Sequence, residues 1–178
     1  MGNKYVGPAA KFYQKEANAG YGIIWDRPTI LEKSPSLWGR NGVTPKGSKQ
    51  GDLGDCWFLS SASAIAAVPE RIHRIFQNQN YPVAEGAFGL YFYVRGEKVS
   101  VTIDDLIPFY NRGNGYIGLP VNSRQPPSGA WWLVMLEKAF AKLNVNYANL
   151  NLGNCTDALR TLTGMPVSHH VSNQITDD

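Results

Sequence analysis

The sequence predicts one α+β domain in which helices predominate and the sheet is small and antiparallel. Three observations support this: a stretch without helix breakers after residue 55, two β-branched and aromatic runs joined by a short turn, and an apolar helical pattern near residue 137. Helices followed by a hairpin and a further helix favour an α+β unit over an alternating βαβ array. The length of 178 residues corresponds to about one domain.

The first helix is predicted over residues 56–67, CWFLSSASAIAA, which are small and apolar on nearly every face. Such a composition is typical of a buried helix. Asp55 stands at the expected N-cap, and two glycines precede it. A second helix is predicted over residues 69–76, because Pro69 suits a first helical position and apolar residues follow at helical spacing.

The sheet is predicted as a hairpin of residues 87–94 and 98–103, with the turn signal RGE at residues 95–97 between them. Residues 108–129 are rich in Gly, Pro and Asn, which predicts a long surface loop. Asp104 and Asp105 are expected to form a solvated strand end. The sheet predicted from the sequence therefore consists of this hairpin.

Two further helices are predicted in the second half of the chain. Residues 130–143 carry a broad apolar face, and residues 156–162 form a shorter helix that Gly164 closes. Residues 21–49 contain three prolines and several glycines, so they are expected to be irregular and anchored by tryptophans. Residues 113–118, GNGYIG, match a dinucleotide-binding spacing, but prolines follow instead of a helix, so a flexible loop is expected.

Composition excludes several classes of protein. The formal net charge of +3 is too weak and scattered for a nucleic-acid footprint, and no apolar run approaches the 18 or so residues of a membrane span. Two isolated cysteines, Cys56 and Cys155, cannot form a disulfide framework or a tetrahedral zinc site. No secretory signal is visible, so a reducing, cytoplasmic location is predicted.

The strongest chemical signal is the run QGDLGDCWFL at residues 50–59. A thiol on the first turn of a helix lies at the positive end of the helix dipole, which favours the reactive thiolate. The backbone N–H at the helix start can donate to an oxyanion, and Gln50, on a glycine-containing loop, can supply a second donor. The alternative is that Cys56 is a buried structural cysteine.

This run resembles the nucleophile motif of the calpains, which are papain-like cysteine proteases. Residues 24–29, IWDRPT, resemble the family's Trp-x-Arg-Pro segment, and residues 131–144, WWLVMLEKAFAKLN, resemble its Leu-Leu-Glu-Lys-Ala-Tyr-Ala-Lys helix. Residues 162–164 match a Thr-Gly that follows. The resemblance covers residues 21–165 and implies a papain-like fold whose central buried helix begins at the nucleophile.

The resemblance implies that Cys56 is the nucleophile and that Gln50 is a donor of the oxyanion hole. The implied activity is intracellular limited proteolysis of protein substrates through a thioester. The implied domain organisation is an N-terminal arm at residues 1–20, the first half of the protease core at residues 21–165, and a C-terminal tail at residues 166–178.

No segment resembles the family's motifs that carry the catalytic His and Asn. His73 lies between arginines, which is typical of a solvated face, and His169 and His170 lie closer to Cys56 than the roughly 130–150 residues of papain-like enzymes. A second protease subdomain is therefore the expected partner that supplies His and Asn. The chain alone is expected to be inactive, because a helix terminus contributes at most about 2 kcal/mol toward a thiolate.

Calcium is expected for the family, but Gly47 and Ala148 stand where the family carries an Asp and a Glu. Neither side chain can ligate a hard cation, so no cofactor is expected in this chain. One alternative function is a non-proteolytic calpain-fold protein with a binding or regulatory role. Another is a peptide-binding module that uses Trp57, Trp131 and Trp132, although these residues fit core positions better.

Overall fold

A computed structural model describes residues 22–47, 49–81 and 86–170, and these residues form five strands and four α-helices. The predicted α+β class is confirmed. The predicted arm at residues 1–20 and most of the predicted tail lie outside the described residues. In chain order the elements are β1 (Gly22–Asp26), α1 (Cys56–Ile65), α2 (Pro69–His73), β2 (Ala87–Val94), β3 (Glu97–Asp104), β4 (Ile107–Asn111), β5 (Ile117–Pro120), α3 (Trp132–Leu143) and α4 (Cys155–Thr163).

Helix α1 begins at Cys56 as predicted and ends at Ile65. It is buried along one side rather than on nearly every face, because its exposed residues recur every four positions, about one helical turn apart. The exposed residues are Cys56, Ser60 and Ala64, and the buried ones include Phe58, Leu59, Ala62 and Ile65. The nucleophile candidate therefore lies on the solvent side of a helix whose other side joins the core.

The predicted hairpin is confirmed. Strands β2 and β3 pair antiparallel from Val94 with Glu97 to Ala87 with Asp104. The two-residue turn has positive φ at both Arg95 and Gly96, the backbone that matches the right-handed twist of paired strands. Alternate residues of β2 are buried, as a period of two requires.

A second sheet has the order β1-β4-β5, so the predictions of irregular structure at residues 21–49 and of a surface loop at residues 108–129 are wrong in part. Strand β1 pairs antiparallel with β4, Gly22 opposite Asn111, across a long sequence separation. Strand β4 lies in the middle of this sheet and is buried at four successive positions, so it lacks an alternating pattern. Residues 113–116 of the GNGYIG motif form the turn into β5, and residues 117–118 already belong to that strand, so the loop prediction is wrong in part.

Helix α3 occupies the centre of the core and packs against α1 and β3. Its Phe140 stacks on Phe58 of α1 at a centroid distance of 4.2 Å. Trp131 and Trp132 are completely buried, as the core interpretation requires, and cannot line an open peptide site.

The remaining predicted helices are confirmed with shifted ends. Helix α2 ends at His73, and Phe76 instead forms a bridge with Leu90 of β2. Helix α4 is closed by Gly164 in the left-handed conformation. No helix among the described residues combines the length and hydropathy needed to cross a membrane.

Candidate active site

Cys56 is the first residue of α1 and its side chain is exposed to solvent. The first N–H groups of an α-helix have no acceptor within the helix. The amides of Phe58 and Leu59 bond back to the carbonyl of Asp55 at 2.8 and 3.1 Å, which fixes the first turn. The thiol and the adjacent backbone donor therefore lie at an accessible helix start.

Gln50 is also exposed, and its carboxamide is held within its own loop. Its Nε2 donates a hydrogen bond to the carbonyl of Leu53 at 2.7 Å. A carboxamide nitrogen carries two hydrogens, so this bond occupies one donor and leaves the second. Leu53 is itself buried, so the loop turns around a fixed apolar residue.

The loop of residues 49–55, here called the nucleophile loop, is fastened to a second segment, residues 121–124. Lys49 and Arg124 exchange backbone hydrogen bonds at 3.1 and 2.8 Å. The amide of Asp52 donates to the carbonyl of Val121 at 2.9 Å. The guanidinium of Arg124 also lies 3.6 Å from the carboxylate of Asp52. The two segments are therefore held together along the loop that leads into Cys56.

Two glycines in the nucleophile loop allow this close contact. A Cβ at Gly51 would lie 1.7 Å from the carbonyl oxygen of Asn122, so no side chain fits there. A Cβ at Gly54 would lie 2.2 Å from the side-chain oxygen of Asn151. The glycines thus bring the loop backbone against its neighbours on both sides.

Trp57 anchors the other side of the helix start. Its Nε1 donates to the carbonyl of Leu150 at 2.9 Å, and its ring meets Phe140 edge to face at 5.7 Å. A Cβ at Gly153 would lie 2.3 Å from the indole ring, so the chain passes directly over it. Trp57 therefore holds Cys56 at a fixed position from the core side.

A buried pair of carboxyl groups lies behind Cys56. Asp55 occupies the N-cap as predicted, but its side chain makes no capping bond and interacts with Glu137 of α3. Both residues are almost completely buried. Burial raises the pKa of Asp55 to about 6, and burial together with the charge of Asp55 raises the pKa of Glu137. At least one of the two groups is therefore easily protonated.

Glu137 also binds the segment of residues 121–124, through Ser123. The amide of Ser123 donates to the two oxygens of Glu137 at 3.0 and 3.1 Å, and its hydroxyl donates to Oε2 at 2.8 Å. Sequence reasoning missed Glu137 as a residue of the site. The available signal was an acidic side chain on the apolar face of a predicted core helix.

A family model described as calpain family cysteine protease matches residues 6–177. This chain belongs to the calpain family. Human Calpain-8 is 36% identical over 170 residues, or 92% of this chain and 22% of Calpain-8. The chicken (Gallus gallus) Calpain-2 catalytic subunit is 34% identical over 89% of this chain and 22% of its own length.

Calpain-5 of Caenorhabditis elegans is 33% identical over 88% of this chain and 24% of its own length. The chain thus spans less than a quarter of each of these calpains. The resemblance drawn from the sequence is confirmed, and the papain-like fold fits the calpain family.

The two positions where calpains are expected to carry calcium ligands do not fit that role here. Gly47 is buried, and a Cβ there would lie 2.8 Å from the Trp132 ring, so a carboxylate has no room. Ala148 has no ligating side chain. The described residues contain no cluster of three or more His, Cys, Asp or Glu side chains that could hold a metal.

Two expectations about other polar residues are wrong. His73 does not lie on a fully solvated face, because its ring packs on Trp38 at 4.4 Å and its Nε2 is buried. Asp104 is exposed as expected, but Asp105 is buried and lies 3.5 Å from the guanidinium of Arg27. The chain turns inward at Asp105, so the strand end is only half solvated.

Proposed function

We propose that this chain is the nucleophile-bearing part of a calpain-type cysteine endopeptidase, with Cys56 as the nucleophile and Gln50 as a donor of the oxyanion hole. The observation that supports this most strongly is the position of Cys56, whose exposed thiol begins a helix beside a loop fastened at both ends. A structural cysteine would be buried instead.

The reaction follows from the groups at this position. The Cys56 thiolate attacks the carbonyl carbon of the scissile peptide, and the carbonyl electrons move onto oxygen. That oxyanion accepts hydrogen bonds from the Cys56 backbone N–H and from the second hydrogen of Gln50 Nε2. The C–N bond then breaks, the amine leaves with a proton, and a thioester remains on Cys56. Water hydrolyses the thioester and restores the thiol.

A second subdomain, outside the matched part of the chain, would supply a histidine that removes the thiol proton and then protonates the amine. It would also supply the asparagine that orients this histidine. The proposal is supported by the short span of the chain against its relatives, under a quarter of their length. We expect this chain alone to be inactive toward protein substrates.

We further propose that this part of the protein binds no calcium tightly, because Gly47 and Ala148 offer no carboxylate. Calorimetric titration of the chain with calcium should give no micromolar binding, and a micromolar site would overturn the proposal. A cytoplasmic location also remains a prediction, which fractionation of cells that express the full-length protein would test.

Turnover of casein by the full-length protein tests the proposed activity. Cys56→Ala should abolish turnover, whereas Cys155→Ala, the matched control at the other exposed cysteine, should leave it intact. Gln50→Ala should lower kcat about 10²–10³-fold, as removal of an oxyanion donor does elsewhere. Turnover retained by Cys56→Ala would exclude the nucleophile assignment. No turnover by the wild type would instead favour the non-proteolytic alternative, a calpain-fold binding or regulatory protein.

A further inference from the structure

The proposed reaction makes no use of the carboxyl pair behind the nucleophile. We propose that Asp55 and Glu137 share a single proton and act together as a positioning pair that holds the nucleophile loop against residues 121–124. This inference rests on the proposed function, because the position of the loop matters for catalysis only if Cys56 is the nucleophile. Neither residue touches substrate, so both act through the loop.

Two ionised carboxylates are unstable at this buried position. Asp55 and Glu137 are almost completely buried, and neither forms an ion pair with a cation of the described residues. As an anion, Asp55 has no hydrogen-bond donor for either oxygen among the described residues. A single proton between the two groups removes one charge and supplies the missing hydrogen bond.

The pair connects the nucleophile loop to residues 121–124. Asp55 ends the nucleophile loop, and its carbonyl receives the first amides of α1. Glu137 holds Ser123 through three hydrogen bonds. The neighbours of Ser123 contact the loop directly, since Asn122 lies against Gly51 and Arg124 pairs with Lys49.

Loss of the shared proton would weaken this connection. Two buried anions would then face each other with no cation of the described residues paired to either, and repulsion would separate the loop from residues 121–124. The groups that act on the pair are the two carboxyls themselves and the amide and hydroxyl of Ser123. Burial raises the pKa of Asp55 from 3.8 to about 6, and the charge of the ionised Asp55 then raises the pKa of Glu137. The pair therefore holds two protons well below pH 6, one proton above about pH 6, and loses the last proton at more alkaline pH, so its stabilising contribution is complete below about pH 4 and falls as pH rises.

The test uses this chain and does not depend on proteolysis. Isotope-edited infrared spectra should show one protonated buried carboxyl at pH 7, assigned to the pair because it is absent in the double variant Asp55→Asn/Glu137→Gln. The hydrogen-exchange protection of the Asp52 and Ser123 amides should fall about tenfold between pH 7 and 9 in the wild type, as the last proton of the pair is lost, the equivalent of one pKa unit.

Asp55→Asn keeps one charge and one hydrogen bond to Glu137, so the protection of the two amides should be independent of pH in this variant. Asp105→Asn is the matched control, a buried carboxyl in an ion pair elsewhere, and should keep the wild-type fall. Two ionised carboxyls at pH 7, or the same fall in Asp55→Asn, would overturn the proposal. If a variant fails to fold, the wild-type spectrum and exchange profile still decide the question.

The failure of this inference is separate from the failure of the proposed function. A full-length protein without turnover, but with the infrared and exchange signatures of the pair, would exclude the protease proposal and retain the shared proton. An active enzyme that lacks these signatures would exclude the shared proton and retain the protease proposal. In an active enzyme, Asp55→Asn should flatten the alkaline side of the kcat profile, which loss of packing alone would not do.

Discussion

Helix α3 carries two adjacent charged residues, Glu137 and Lys138, that hold carboxyl groups in opposite ways. Glu137 faces Asp55 in the interior, and burial raises the pKa of both carboxyls. Lys138 bonds to Asp104 at the edge of the fold and donates to the carbonyl of Leu106 at 2.6 Å. Partial burial raises the pKa of Asp104, but the hydrogen bond and charge of Lys138 outweigh it and lower that pKa.

The contrast shows how the partner of a carboxyl group decides its effect on the protein. With a cation beside it, Asp104 is held ionised and helps to fix the end of β3. With another carboxyl beside it, Asp55 depends on a proton. We call Asp55 with Glu137 the inner pair and Asp104 with Lys138 the outer pair. Their contributions to stability therefore change with pH in opposite directions, and only the inner pair lies next to the nucleophile.

The largest expected difference between the pairs is in stability. Glu137→Leu should lower the free energy of unfolding by about 3 kcal/mol, because it leaves the amide and hydroxyl of Ser123 buried without an acceptor. Lys138→Met keeps the apolar stem and should cost at most about 1 kcal/mol. Urea unfolding at pH 6 measures both values. Equal decreases in the free energy of unfolding for the two variants would contradict the distinction between the two pairs.

A smaller effect is expected at the outer pair, with the opposite dependence on pH. Because the pKa of Asp104 is lowered in the folded state, its contribution is present above about pH 3.8 and is lost as pH falls. Asp104→Asn should therefore cost at most about 1 kcal/mol at pH 7, and its cost should shrink as pH falls below about 3.8.

The control for Asp104→Asn is salt, since about 1 M NaCl should shrink the difference at pH 7 by screening the partly exposed pair. A difference between wild type and variant that grew on acidification would contradict the assignment. It would mean that the outer pair behaves like the inner one.

The elements that could be predicted from the sequence are those with local patterns. Helices α1, α3 and α4 have apolar periodicity with breakers at their ends, and the β2–β3 hairpin has a two-residue turn. The second sheet could not be predicted, because β1 pairs with a strand more than 80 residues later and β4 contains Pro108 within a continuously buried run. Such a strand lacks the alternation that identifies a half-buried one.

The candidate site likewise contains residues that a local motif identifies and a contact that only the tertiary packing creates. Cys56 and Gln50 lie within one ten-residue motif, so the sequence alone could nominate them. The contact of Asp55 with Glu137 depends on how α1 packs against α3, and no local pattern encodes it. Asp55 stands at the predicted N-cap position, but its side chain makes no capping bond and interacts with Glu137 of the neighbouring helix instead.

Direct observation of the covalent intermediate tests the central claim most directly. The full-length protein, incubated with an activated peptide ester and quenched in acid, should carry the peptide acyl group on Cys56 when analysed by peptide mass spectrometry. Cys155 is also exposed to solvent and should remain unmodified, and Gln50→Ala should slow acylation of Cys56. Acylation of the two cysteines at similar rates, or none at Cys56, would contradict the account.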